Sequence, residues 1–456
     1  MKVSKSSALP PGPRRPPIAQ AFAWAYRPIP FLESARRKYG ETFCIQFPRF
    51  PTEVIFTNPQ HIKQIFTGPS DKLYAGQVNA ILEPLVGSKS LLLLDGKRHL
   101  QERRLLLPPF HGERMQTYCD EMVTAADRMM QRMPENSIFS VHAFTQQFTL
   151  DVILSTVFGL REGKRFIRLQ GLLARLLDSL SNPMLLSKLF QVDLGPHSPW
   201  GKVKRINDEI YLILRELIDE CRKDNDGTRK DVLAMLAAAR YEDGSQMSYE
   251  ELRDELITLL VAGHETTATA LAWSVNHILS TPEVLPKLKD EIAQVTQGER
   301  LQVRHLSSLK YLDGVVKETL RLLPVIPMVG RVLQEPMMIG DYLLPKGVSA
   351  VPCIYLAHRR PEVYPEPEKF MPERFLENPP GPYEFFPFGG GIRRCVGAAF
   401  ALYEMKIWIA QVFSKLDLQL DTSYVARVQR RSITLTPEKG VLVQVRKKYE
   451  SASRAA

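Results

Sequence analysis

The residues best suited to chemistry lie near the C-terminus, in the stretch FFPFGGGIRRCVGAAFALYEMK at 385–406. Its single cysteine, Cys395, stands just before an Ala-, Leu- and Met-rich run whose apolar spacing predicts a helix. A thiol at the mouth of a helix has its ionised form favoured by free N–H groups and the helix dipole. Such a thiolate is a soft ligand, suited to iron. Glycines 389–391 permit a tight turn and a close approach to a bulky ligand. They do not make a dinucleotide loop, because Arg394 occupies the place of the third glycine and no βαβ pattern surrounds them.

A second group, AGHETT at 262–267, falls in the middle of a long helical stretch, Tyr249–Ser280, stopped by Pro282. His264 and Glu265 invite comparison with the HExxH zinc motif, but Ala268 stands where the second histidine is needed. What is left is a pair of small residues, Ala262 and Gly263, one turn from the hydroxyls of Thr266 and Thr267. A helical hydroxyl that bonds back to the carbonyl four residues earlier loosens the ladder there. A third group is Glu318 and Arg321, three apart on a helix predicted for Leu309–Leu323, followed by Arg374 in PERF at 372–375. An i,i+3 acid–base pair alone is an ordinary exposed contact.

In company these groups mean more. The spacing Phe388, Gly391, Arg393, Cys395, Gly397, with AGHETT and ExxR…PERF, resembles the cytochrome P-450 superfamily, the haem-thiolate monooxygenases. The resemblance covers essentially the whole chain. It implies haem b (iron protoporphyrin IX), with Cys395 as the axial iron ligand and Phe388 in the same loop. It implies that Ala262 leaves room for O2 and that Glu265 and Thr266 relay the protons that O–O cleavage needs. The thiolate favours the same cleavage by donating electron density. Glu318, Arg321 and Arg374 become a buried structural network. Arg393, His99, Arg103 and Arg331 match positions that meet the haem propionates, His99 standing where many relatives carry tryptophan. A further departure is Arg360 in HRR at 358–360, where an acidic residue commonly follows the first arginine.

Matching segments of the family place Leu85, Val86, Leu91, the 170–195 region, Leu259, Ala262, Val325–Met328 (Val325 and Ile326 among them) and Ile433 toward substrate. Nearly all are apolar, which points to a hydrophobic substrate such as a fatty acid, alkane or terpenoid. A haem-thiolate isomerase or dehydratase acting on peroxides has no use for the acid–alcohol pair. A non-enzymatic haem sensor leaves that pair and the apolar segments without a purpose.

These residues need a scaffold, and the sequence predicts one dominated by helix, with strands near 42–57, 331–353 and 415–446. The expected fold class is mainly α with a smaller β-rich region. It has a Pro-rich lead-in at 1–17, one catalytic domain at 18–446 despite the 456-residue length, and a flexible tail at 447–456. Asn182–Pro183 and Gly195–Pro199 are expected to interrupt the helices of 112–224.

The five cysteines have neither paired nor CxxC spacing, which speaks for a reducing compartment and against a disulfide framework or zinc knuckle. No apolar run approaches the roughly 18–20 residues of a membrane span, and no signal-peptide pattern opens the chain. The expectation is a soluble cytoplasmic protein, without excluding peripheral contact with a membrane. The formal charge of +10 is not organised as basic runs interleaved with aromatics, so it does not suggest nucleic acid. It suits an acidic electron donor, by resemblance a ferredoxin with its reductase.

Overall fold

The computed structural model describes residues 9–112, 114–179, 191–223 and 229–449. Its axis is the central helix Tyr249–Ser280. A capping box starts it: the Ser248 hydroxyl accepts from Glu251 N at 3.2 Å, and the Glu251 carboxylate accepts from Ser248 N at 2.7 Å. The helix is apolar over most of its circumference, as a helix sheathed by others must be. Helix Val141–Thr156 lies along it, and two of its threonines bond to the central helix's carbonyls. Thr145 Oγ1 donates to Ala268 O at 2.9 Å, and Thr149 Oγ1 to His264 O at 3.1 Å.

Helix Ala398–Lys415, which follows Cys395, packs against both the central helix and helix Arg114–Arg132. Phe400 anchors it between Phe110 and Tyr118, with ring centroids 5.9 and 5.7 Å away. Helix Lys310–Leu322 lacks a cap of its own and borrows one. The Glu291 carboxylate accepts from the N–H groups of Tyr311 and Leu312 at 2.6 and 2.8 Å.

The β-rich part is a five-stranded sheet in the order Thr42–Ile45, Glu53–Phe56, Ser349–Pro352, Arg331–Leu333, Leu73–Tyr74. The first two strands form an antiparallel hairpin, and the second runs parallel to Ser349–Pro352. A separate hairpin, Val428–Arg431 with Thr434–Pro437, is fastened to the helices by Leu435. Its carbonyl accepts from Trp273 Nε1 at 3.0 Å, and its N–H donates to Val325 O at 2.8 Å.

Several expectations shift. The lead-in ends in a helix, Pro17–Tyr26, which its proline content concealed. A short strand, Ile138–Ser140, interrupts the run read as helical. Strand Leu442–Lys448 pairs Lys447 and Lys448 with Asp417 and Leu416, so the ordered chain passes the 446 boundary. The interruption at Asn182–Pro183 and the end of the tail, 450–456, lie outside the described residues. Among the described residues no helix is long and apolar enough to cross a membrane.

Candidate functional site

The cysteine loop is shaped by its own backbone and by one aromatic neighbour. Gly389 N donates to Phe386 O at 2.9 Å, and Cys395 N closes the loop onto Phe388 O at 3.0 Å. Gly389 and Gly391 have φ of 68° and 64°, in the left-handed region. A Cβ at Gly390 would lie 2.2 Å from the Phe66 ring, and one at Gly391 would lie 2.0 Å from Phe66 O. The glycines are therefore demanded by the helix Pro59–Thr67, which carries Phe66, as well as by the turn. Asn58 caps that helix, accepting from Gln60 N at 2.9 Å.

Cys395 is surface-accessible, yet protein surrounds it closely enough for burial to raise its thiol pKa. It thus faces a recess inside the fold. The Gly397 N–H, Arg103 and Arg394 act the other way and favour the thiolate.

Four basic side chains gather beside this loop. Arg393 donates to Leu91 O at 3.3 Å, to Leu94 O, and to Asp95, with which it forms an ion pair. Asp95 in turn accepts from Ala75 N and Gly76 N at 2.9 Å each. Arg331 is buried on its strand, 5.9 Å over the Phe66 ring, and donates to Gly330 O at 2.8 Å. Burial pulls the pKa of both Arg393 and Arg331 down to about 10. His99 and Arg103 lie one turn apart on helix Gly96–Leu106. Burial, then Arg393, Arg103 and Arg331, push His99 down to about 3, and its Nδ1 has no partner. So much clustered positive charge, with an orphaned imidazole nitrogen among it, suits a group bearing two carboxylates, as haem does.

Across the fold, Ala262 is exposed although most of the central helix is buried. Thr266 Oγ1 donates back to Ala262 O at 2.5 Å, the bond its spacing suggests. Glu265 turns to the flank that meets helix Val141–Thr156. Its Oε2 accepts from Gln146 Nε2 at 2.8 Å. Its Oε1 lies 3.7 Å from Arg431 Nη1 and 3.9 Å from His142 Nε2, with no hydrogen bond. Burial raises the Glu265 pKa, while Gln146 and Arg431 restrain it. Burial holds His142 at about 4, so this imidazole is neutral at pH 7.

Glu318, Arg321 and Arg374 meet in one network. Arg321 grips Glu318 with Nε and Nη2 at 2.7 and 2.8 Å, and both side chains are fully buried. Arg374 Nε adds a third bond at 3.0 Å, and Met371 N a fourth at 2.9 Å. Arg321 also donates to the carbonyls of His358, Pro367 and Lys369 at 3.0, 2.8 and 3.1 Å. This satisfied network offsets the desolvation of the pair. Arg359 and Arg360 of the departing HRR run pair with Glu368 and Glu41.

The apolar positions divide. Leu259 and Ile326 are partly accessible, and Ile433 is exposed at the tip of its hairpin. Leu85, Leu91 and Val325 are buried, Leu91 with its N–H donating to Glu255 Oε1 at 2.6 Å. Val86 keeps only 1 % of its surface and packs with them within the main hydrophobic core. Of the 170–195 region, residues 180–190 lie outside the described residues.

Sequence reasoning missed the parts played by His358, Phe66, Gln146, His142 and Arg431, since each meets its partner from a distant segment.

Comparison with known proteins identifies the family. The family model described as Cytochrome P450 matches residues 10–445. The relative named cytochrome P450 135B1 of Mycobacterium tuberculosis is 36% identical over 454 residues, covering 98% of this chain and 93% of the relative. Cytochrome P450 138 of the same species is 33% identical over 447 residues, covering 96% and 97%. The solved structure of a cyanobacterial CYP120A1 with retinoic acid bound superposes with a TM-score of 0.84 at 23% identity, covering 97% of this chain and all of that one. The chain belongs to the cytochrome P450 family, and it is a haem-binding monooxygenase that draws on O2, an external electron donor and a small-molecule substrate.

Proposed function

We propose that Cys395 is the axial ligand to haem iron and that Arg393, Arg331, Arg103 and His99 receive the two propionates. The observation that carries this reading is the crowding of those four side chains beside an accessible thiol. When bound, the haem supplies O2 activation and insertion of one oxygen atom into the substrate. The chain supplies the rest. Phe388 closes the loop onto the Cys395 amide and holds the sulfur in place. Ala262 keeps the opposite side clear of side-chain bulk, and Thr266 presents a hydroxyl there. Glu265, its carboxyl raised by burial, holds a proton nearer neutrality than an ordinary carboxylate and reloads that hydroxyl. Glu318, Arg321 and Arg374 lock the segment beneath the loop.

The substrate is a hydrophobic molecule of the fatty-acid, alkane or terpenoid kind, met by Leu259, Ile326 and Ile433. The donor is a ferredoxin-type protein acting in the cytoplasm. The exposed Arg394 beside Cys395 and the +10 charge support an acidic partner on that side. Thr266→Ala tests the relay: electron consumption continues, product falls and peroxide rises. Unchanged coupling removes Thr266 from the role. A panel of lipids and terpenoids, scored by the substrate-induced Soret shift, tests the substrate class, and a response confined to polar compounds refutes it.

A further inference from the structure

Helix Pro17–Tyr26 is apolar on both faces: Trp24 packs inward against Phe31 and Phe47, and three large side chains look outward. Its ten residues, PIAQAFAWAY, contain no charge. The polar Gln20 faces inward, donating to Pro13 O and Arg15 O at 3.2 and 2.8 Å and accepting from Gln46 N at 3.1 Å. Ile18, Phe22 and Tyr26 face outward at 61, 58 and 77 % exposure. Their i, i+4, i+8 spacing makes one continuous stripe, with the Phe22 and Tyr26 rings stacked at 6.1 Å. Scattered exposed apolar side chains are ordinary, but a stripe on an uncharged helix is not. The turn that follows Gln46 adds exposed Phe50 and Arg49.

The surroundings are basic. Residues 9–49 carry seven Lys and Arg against two carboxylates, Glu33 and Glu41. Both acids are already engaged, Glu33 by Tyr355 and Glu41 by Arg360. Exposed Arg14 and Arg15 precede the helix, and exposed Arg27 follows it.

We propose that this helix is a peripheral anchor that lays Ile18, Phe22 and Tyr26 into the interface of an anionic lipid membrane. An uncharged apolar ridge enters the headgroup boundary, tyrosine suits that depth, and flanking arginines meet anionic headgroups. A protein partner is recognised through charged and hydrogen-bonding groups, and this stripe offers only the Tyr26 hydroxyl. The anchor stands independently of the substrate reading.

The test uses full-length holoprotein in flotation assays with vesicles of phosphatidylcholine alone and of phosphatidylcholine mixed with phosphatidylglycerol. Wild type floats with the anionic vesicles and is released as salt rises. The double variant Ile18→Asp/Phe22→Asp partitions at least about tenfold less, because two side chains no longer enter the interface. Its thermal midpoint and carbon monoxide spectrum stay unchanged, since both residues are exposed. Absence of wild-type flotation, or equal flotation of the double variant, overturns the proposal. Equal flotation on phosphatidylcholine alone overturns the anionic assignment. A concentration-dependent dimer seen in sedimentation, lost in the double variant while vesicles are ignored, overturns it in favour of a second copy.

Discussion

The Phe386 amide donates to Nε2 of His358 at 2.9 Å, so the cysteine loop hangs from a histidine 28 residues earlier. The His358 carbonyl also accepts from Arg321, which joins the Glu318 network to the loop through one residue. Phe385 stacks on the same imidazole at 5.2 Å. His358→Ala is expected to cost about 2–4 kcal/mol, from an unpaired buried N–H and a cavity. Chemical denaturation and haem content after gel filtration check this. An unchanged midpoint with full haem would show that the loop holds itself.

The three loop glycines are not equivalent. Gly389→Ala meets nothing within 4 Å and carries only left-handed strain, about 1–2 kcal/mol. Gly391→Ala adds the same strain to a collision with the Phe66 carbonyl. The first variant is expected to keep its haem with a modestly lower thermal midpoint, and the second to be recovered without it. Equal haem occupancy in both contradicts this ranking.

Removal of Glu318 leaves Arg321 buried and uncompensated. Glu318→Ala is expected to lose about 3–5 kcal/mol, enough to prevent recovery of folded holoprotein. Arg374→Ala leaves the two-pronged Glu318–Arg321 pair in place, so its cost is smaller, about 1–3 kcal/mol. Soluble yield and haem ratio of the two variants decide the order. A well-behaved Glu318→Ala protein would remove the network from any structural role.

His277 gives a pH test. Its ring is sandwiched between Trp273 and Phe370, its enclosed Nε2 has no partner, and desolvation with Arg359 and Arg321 lowers its pKa to about 3. The unfolded chain therefore takes up this proton first as pH falls. The stability the neutral ring supports is whole above pH 6.5 and is lost as pH drops toward 3. His277→Phe removes that liability. Relative to wild type, the variant is expected to gain about 2 kcal/mol between pH 7.5 and pH 5. Paired melting curves at the two values measure it, and a pH-independent gap rules it out.

Much of the site was legible because its chemistry is local. A thiolate loop needs glycine, arginine and cysteine within ten residues, and an i,i+3 pair needs only a helix. The central helix was legible to the residue, with Pro282 marking where it stops. What stayed hidden was tertiary. Arg431 reaches Glu265 from a hairpin 166 residues later, and Asp95 meets Arg393 across 298. The apolar positions read alike in sequence, and only packing separates a core position from a wall. The anchor helix was masked by prolines that read as extended chain, though proline at a first helical position is well placed.

The bond from Arg393 to Leu91 spans 302 residues of chain. On a ribosome adding about 5–20 residues per second, the first partner waits roughly 15–60 seconds for the second to be made. The segment around Leu91 therefore leaves the exit tunnel with its carbonyls unclaimed. No nascent fragment shorter than almost the entire polypeptide can seat the cysteine loop, and a protein truncated before Arg393 is a substrate for chaperones rather than a smaller enzyme.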